Sequence, residues 1–135
     1  MDLESSMRIS AAGMKVQSAR LRVTSENLAN ADSTALTPGG DPFRRKTVSF
    51  ADRLDRLLGA RLVEVARYGT DPSPFPLRYE PGHPAADANG YVKEPNVNPL
   101  IELTDMREAQ RSFEANLQAQ QQARGMLQKL LDLMR

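Results

Sequence analysis

All nine prolines of this 135-residue chain lie between Pro38 and Pro99. Residues 1–34 and 100–135 contain none. Proline removes a backbone donor and clashes with the preceding turn, so it interrupts helices. The two ends are therefore free to form long helices, and the middle is not. The chain divides into an N-terminal helix within 1–34, a Pro- and Gly-rich segment over 35–98, and a C-terminal helix within 99–135.

The first helix carries two apolar faces. Met7, Met14, Leu21 and Leu28 recur every seven residues, with Ala11, Ser18 and Ser25 between them. This is a narrow seam of large and small side chains. Ile9, Ala12, Val16, Ala19 and Val23 form a second seam, offset by two residues and so nearly opposite. A surface helix of a small domain needs only one such face. Two faces imply packing on both sides, in a bundle or between subunits.

The last helix opens on Asn98-Pro99, an N-cap followed by Pro at the first helical position. Leu103, Met106, Phe113, Leu117, Leu127, Leu131 and Met134 follow one seam, interrupted by Gln110, Gln120 and Arg124. Ala109, Ala119, Ala123, Met126, Leu130 and Leu133 form a neighbouring face. Gly125 falls inside the helix, at a cost of about 1 kcal/mol relative to Ala.

Between the helices, TVSFADRL and ARLVEVARY are strand-like, and PLRYEP and GYVKEP are short strand candidates. Residues 51–58 read equally as strand or as a short helix ending at Gly59. The expected fold class is mainly α with a small β/loop insertion: long terminal helices paired as a coiled hairpin, and a middle segment with short strands.

Composition narrows the function. Eighteen basic residues balance seventeen acidic ones, so there is no general attraction to nucleic acid or to an anionic membrane. The basic run Arg44-Arg45-Lys46 reads as a solvated strand end. The absence of Cys excludes thiol catalysis, thiolate metal sites and disulfides. No stretch has the ~20 apolar residues of a membrane span, and the N-terminus lacks the pattern of a secretory signal. His83, the single histidine, reads as a turn residue between Gly82 and Pro84. Asp87-Ala-Asn89-Gly90 reads as an Asx-turn leading into an Asn-Gly hairpin. No catalytic constellation, metal site or cofactor site is expected.

The stretch SENLANADST, residues 25–34, closes the first helix. Asn30 there reads as a left-handed C-cap residue, and Asp32-Ser33-Thr34 turns the chain away. With Glu114-Ala115-Asn116 in the last helix, this stretch is similar to the bacterial flagellar axial proteins, the rod/hook superfamily. HPAADANGYVKEPNVN, residues 83–98, followed by Asp105-Met106 and Phe113-Glu-Ala-Asn116, resembles the basal-body rod proteins within it. Leu36–Pro42 looks inserted relative to that family.

The resemblance implies a non-enzymatic subunit of the proximal rod, part of the torque-transmitting drive shaft in the periplasm. It would be exported by the flagellar type III apparatus without a cleavable signal peptide. Expected partners are copies of itself, other rod proteins and the rod-base junction protein, with no nucleic acid and no direct membrane insertion. The expected subunit-interface residues are Met7, Ile9, Met14, Val16, Leu21, Val23, Asn27, Leu28 and Asn30 on the first helix. On the last they are Leu103, Met106, Phe113, Asn116, Leu117, Leu127 and Leu131. Asn27 and Asn30 would bond a neighbour's backbone without burying an ion. The competing class is a soluble coiled-coil adaptor or secretion chaperone.

Overall fold

The computed structural model describes residues 2–135. The elements run α1 (Leu3–Ala29), β1 (Lys46–Asp55), β2 (Ala60–Thr70), β3 (Leu77–Tyr79), β4 (Tyr91–Lys93) and α2 (Pro99–Leu133). Both helices lie outside the proline-rich segment, and α2 starts on its last proline.

Each helix end has a chemical cause. Asp2 caps α1, its carboxylate accepting the Ser5 backbone N–H at 2.7 Å. At the other end the Asn30 backbone N–H and side-chain amide both donate to the Glu26 carbonyl, at 3.1 and 2.8 Å. Ser33 then donates its hydroxyl to the Asn30 carbonyl at 2.9 Å. Among the described residues only glycines have positive φ. Asn30 is therefore not the left-handed C-cap that its residue type suggests; its side chain ends the helix. Asn98 does cap α2, accepting the Leu100 N–H at 3.1 Å.

β1 and β2 form one two-stranded sheet. Residues 56–59 turn between them, so the pair is antiparallel. Asp55 accepts the N–H groups of Leu57 and Leu58, and Gly59 takes the left-handed conformation at φ 63°. This resolves residues 51–58 as strand and turn. Cross-strand ion pairs join Asp52 to Arg61 at 2.8 Å and Arg53 to Glu64 at 3.6 Å.

β3 and β4 form a second antiparallel pair, with Leu77 opposite Lys93, Arg78 opposite Val92 and Tyr79 opposite Tyr91. The intervening loop is organised by its own side chains. His83 Nδ1 accepts the Ala85 N–H at 3.0 Å. Asp87 accepts the N–H groups of Asn89 and Tyr91 at 2.9 and 3.0 Å. This is the expected Asx-turn, but it closes a long loop rather than a two-residue hairpin. Gly90 is required there: its φ is 87°, and a Cβ would stand 2.9 Å from the Tyr79 ring. The 36–42 stretch docks on this loop through the Gly39 N–H to the Ala85 carbonyl, and on β4 through Asp41 to Lys93.

The expected fold class needs correction. The chain is 46% helical with about 20% strand in two small antiparallel sheets. It is mixed α and β, not a mainly α coiled hairpin with a minor insertion. The cause is the run of β-branched and apolar residues in 46–70, which sustains strands of 10 and 11 residues.

The chain divides into two compact units. The first comprises Met1–Leu21, Val48–Arg67 and Arg107–Arg135; the second comprises Arg22–Thr47 and Tyr68–Met106. Val16, Ala19, Ala109 and Ala123 are the buried apolar residues of the first, and Val23, Ala85 and Val92 those of the second. In the first unit the two helices meet at Gly13, where a Cβ would lie 2.7 Å from the Asn116 side-chain nitrogen. Arg20 and Glu108 pair nearby at 3.2 Å. Helices approach this closely only where side chains are small.

Candidate assembly interface

Apart from Glu102 and Asn27, the helices bury small side chains and leave their Leu and Met residues partly or largely outside. On α1, Val16, Ala19 and Val23 of the second seam are buried, and Ile9 is half-buried. Met7, Met14, Leu21 and Leu28 of the first seam are half-buried. On α2 the buried positions are Glu102, Ala109 and Ala123, with Met106, Phe113 and Asn116 half-buried. Leu103, Leu117, Leu127 and Leu131 are 44%, 37%, 40% and 50% exposed. Continuing outward, Leu130, Leu133 and Met134 are more exposed still.

Met7 and Leu127 come together in the first unit. With Glu4, Arg8, Ala11 and Gln120 they line a mainly apolar groove of about 510 Å³. A second groove of about 590 Å³ in the other unit runs past Arg22, Glu26 and Tyr68, where Arg22 donates to the Tyr68 hydroxyl at 3.0 Å.

The two asparagines of the 25–34 stretch bond within the chain. Asn27 has no exposed surface. Its amide pairs with the Lys46 backbone as one peptide group pairs with another: Oδ1 accepts the N–H, and Nδ2 donates to the carbonyl, both at 2.9 Å. Nδ2 also donates to Glu102 at 3.3 Å. Asn116 donates to the Ser112 carbonyl at 2.9 Å and lies against Gly13.

Around Asn27 lies a polar clasp, all of it in the second unit. Glu102, fully buried, accepts from Arg45 Nε. Asp71 and Asp105 flank the same guanidinium at 3.6 and 3.8 Å. Partial burial pulls the Arg45 guanidinium down, but the bond to Glu102 and the three carboxylate charges outweigh it and hold it above its ordinary value. Asn96 accepts the Arg45 backbone N–H at 2.8 Å and donates to the Asp71 and Ser73 carbonyls. Arg44 donates to the same two carbonyls and lies over the Phe75 ring at 4.2 Å.

Arg44 and Arg45 are therefore not a solvated strand end, as their sequence suggests. Glu102, Arg45, Asp71 and Asn96 lie outside the interface residues that the sequence suggests. One signal was available: Glu102 begins a seven-residue spacing that continues through Ala109, Asn116 and Ala123. A charge at the head of a small-residue seam marks a buried ion pair. Its partner has no such mark.

Among the described residues no helix is long and apolar enough to cross a membrane, and no cluster of three potential ligands is arranged for a metal.

Comparison with known proteins covers almost the whole chain. Residues 7–35 match the family described as flagella basal body rod protein. Residues 88–133 match the flagellar basal body rod FlgEFG protein C-terminal family. The chain is 52% identical to the flagellar basal-body rod protein FlgC of Agrobacterium fabrum, covering 98% of this chain and 96% of the relative. It is 42% identical to FlgC of Salmonella typhimurium, over 93% and 92% of the two chains. It is 38% identical to FlgC of Bacillus subtilis, over 95% of each.

Proposed function

The chain belongs to the FlgC family of flagellar basal-body rod proteins, structural subunits and not enzymes, and from that premise we propose that it builds the proximal rod through the outer faces of its terminal helices. Its place is the flagellar basal body, where it assembles with other rod proteins. In this reading it also meets copies of itself and the rod-base junction protein. It reaches the periplasm through the flagellar type III apparatus, without a cleavable signal peptide. Its terminal segments, 1–34 and 99–135, form the inner shaft, and 35–98 lies outward.

One observation supports the interface assignment. Leu103, Leu117, Leu127 and Leu131 keep 37–50% of their surface in water. Fully burying a Leu is worth about 1.5–3 kcal/mol. At that exposure the four together forgo about 3–5 kcal/mol unless a neighbour covers them. Met7, Met14, Leu21 and Leu28 offer a matching half-buried face on α1. Asn27, buried and fully bonded, serves by shaping the subunit rather than by touching a neighbour. Family membership sets aside the adaptor or chaperone reading. Heterologous contacts between such faces produce an open shaft, as growth by addition requires.

The test is complementation of a strain lacking this protein. The unaltered chain is expected to restore swimming and complete basal bodies. Leu117→Asp is expected to restore neither, because it places a charge in a desolvated interface, while the purified variant keeps the fold of the unaltered chain. Normal motility with Leu117→Asp would show that the outer face of α2 is not an interface.

A further inference from the structure

We propose that Asn27, Arg45 and Glu102 act as a conformational clasp, which makes closure of the helix ends nearest the middle segment conditional on the folding of that segment. The inference is independent of which partners the outer faces meet.

Glu102 is the one charged side chain that is fully buried among the described residues. Its two carboxylate oxygens are claimed by different parts of the chain. Oε1 accepts from Arg45, 57 residues away, and Oε2 from Asn27, 75 residues away. To Glu102 the helices themselves bring only the neutral amide of Asn27, and Asp105 of α2 adds a second carboxylate beside it. The cation comes from the middle. A carboxylate cannot leave water at tolerable cost without a paired charge. The last turns of α1 and the first turns of α2 therefore close on each other only over Arg45.

Arg45 is in turn held by the rest of the middle segment. Its backbone N–H donates to Asn96 at 2.8 Å. Asn96 donates at 3.0 and 3.1 Å to the carbonyls of Asp71 and Ser73. Asp71 is fixed by its own bonds from Ser73 and carries one of the charges on the guanidinium. Residues 71–73 and 96 must therefore be in place before Arg45 can serve Glu102. Asn27 reports the same condition from α1, because its amide pairs with the Lys46 backbone next to Arg45. The far end of α2 is held differently. Leu131, Leu133 and Met134 are 50%, 81% and 83% exposed there. Order in the free subunit is accordingly graded: firm at the clasp, loose at the distal end of α2.

Hydrogen exchange on the full-length, unassembled protein tests this. In the unaltered chain, amides of 23–29 and 99–106 are expected to be protected, and those of 124–133 to exchange fast. Arg45→Met is expected to raise exchange at least tenfold in both 23–29 and 99–106, although Arg45 belongs to neither helix. Adding Glu102→Met is expected to restore most of that protection, since no charge is then buried. If Arg45→Met unfolds entirely, recovery of the fold in the double variant supports the clasp, and failure to recover overturns it. Three other results would also overturn it: no protection of either stretch in the unaltered chain, an increase confined to 43–47, or a double variant that exchanges as fast as Arg45→Met.

Discussion

Asn27 makes three hydrogen bonds with one amide, and all three partners belong to its own chain. Its removal leaves the part-buried Lys46 backbone pair and one buried Glu102 oxygen without their partner. Each such loss costs about 1–3 kcal/mol. Asn27→Ala is expected to lower unfolding free energy by at least about 3 kcal/mol in denaturant titration. Asn27→Asp is expected to cost more, because it sets a second carboxylate against Glu102 and removes both donated bonds. His83 shows the same economy without chemistry. Its Nδ1 accepts the Ala85 N–H, and Ala85 is buried at 2% exposure. His83→Ala is expected to cost about 1 kcal/mol, the worth of a typical side-chain cap. Gly13 is decided by its neighbour. Helix propensity alone favours Ala there by about 1 kcal/mol, yet a Cβ would meet the Asn116 amide at 2.7 Å. Gly13→Ala is expected to destabilise the unaltered chain and to stabilise an Asn116→Ala chain. Thermal melts of the four combinations check the sign change.

Of the two helices, α2 is the more exposed to its surroundings. Its 35 residues at ~1.5 Å rise span about 52 Å. Its buried positions are Glu102, Ala109 and Ala123, with Met106, Phe113 and Asn116 half-buried beside them. Gly125 lies in this helix with nothing within 4 Å of where a Cβ would stand. Gly125→Ala is therefore expected to add helicity at the distal end and about 1 kcal/mol of stability, read by circular dichroism of the free subunit. The β1–β2 hairpin carries supports of its own. Two-stranded hairpins are marginal in water by themselves, and here a capped turn and two cross-strand ion pairs support one.

For the molecule as a whole, pH is the simplest global probe. Asp2 is held below the ordinary carboxylate range by the Ser5 backbone bond, Glu26 by Lys46, Asp52 by Arg61 and Asp71 by Ser73. In each case the unfolded chain binds the proton more readily than the folded one. The stabilisation is thus complete above the ordinary carboxylate values, and it is lost as pH falls through the lower folded values. The melting temperature is expected to be flat near neutrality and to fall below about pH 4. Asp2 and Asp52 are solvent-exposed, so added salt is expected to shrink their part of the effect. Asp71→Asn is expected to reduce the acid dependence.

Much of this architecture is written in local chemistry. The proline distribution confines both long helices to the ends, Asn98-Pro99 starts α2, and the motifs of 25–34 and 83–98 place the chain in its family. Each of these depends on neighbours in sequence, whose conformational preferences act before any tertiary contact forms. Tertiary structure alone decided which helix faces turn inward. Hydrophobic ranking singles out Leu and Met as core, but close approach at Gly13 admits small side chains and leaves the leucines outside. It also decided the roles of Arg45 and Glu102. An ion pair joining positions 57 residues apart leaves no periodic trace at its basic partner, because the chain between them must fold before the two charges meet.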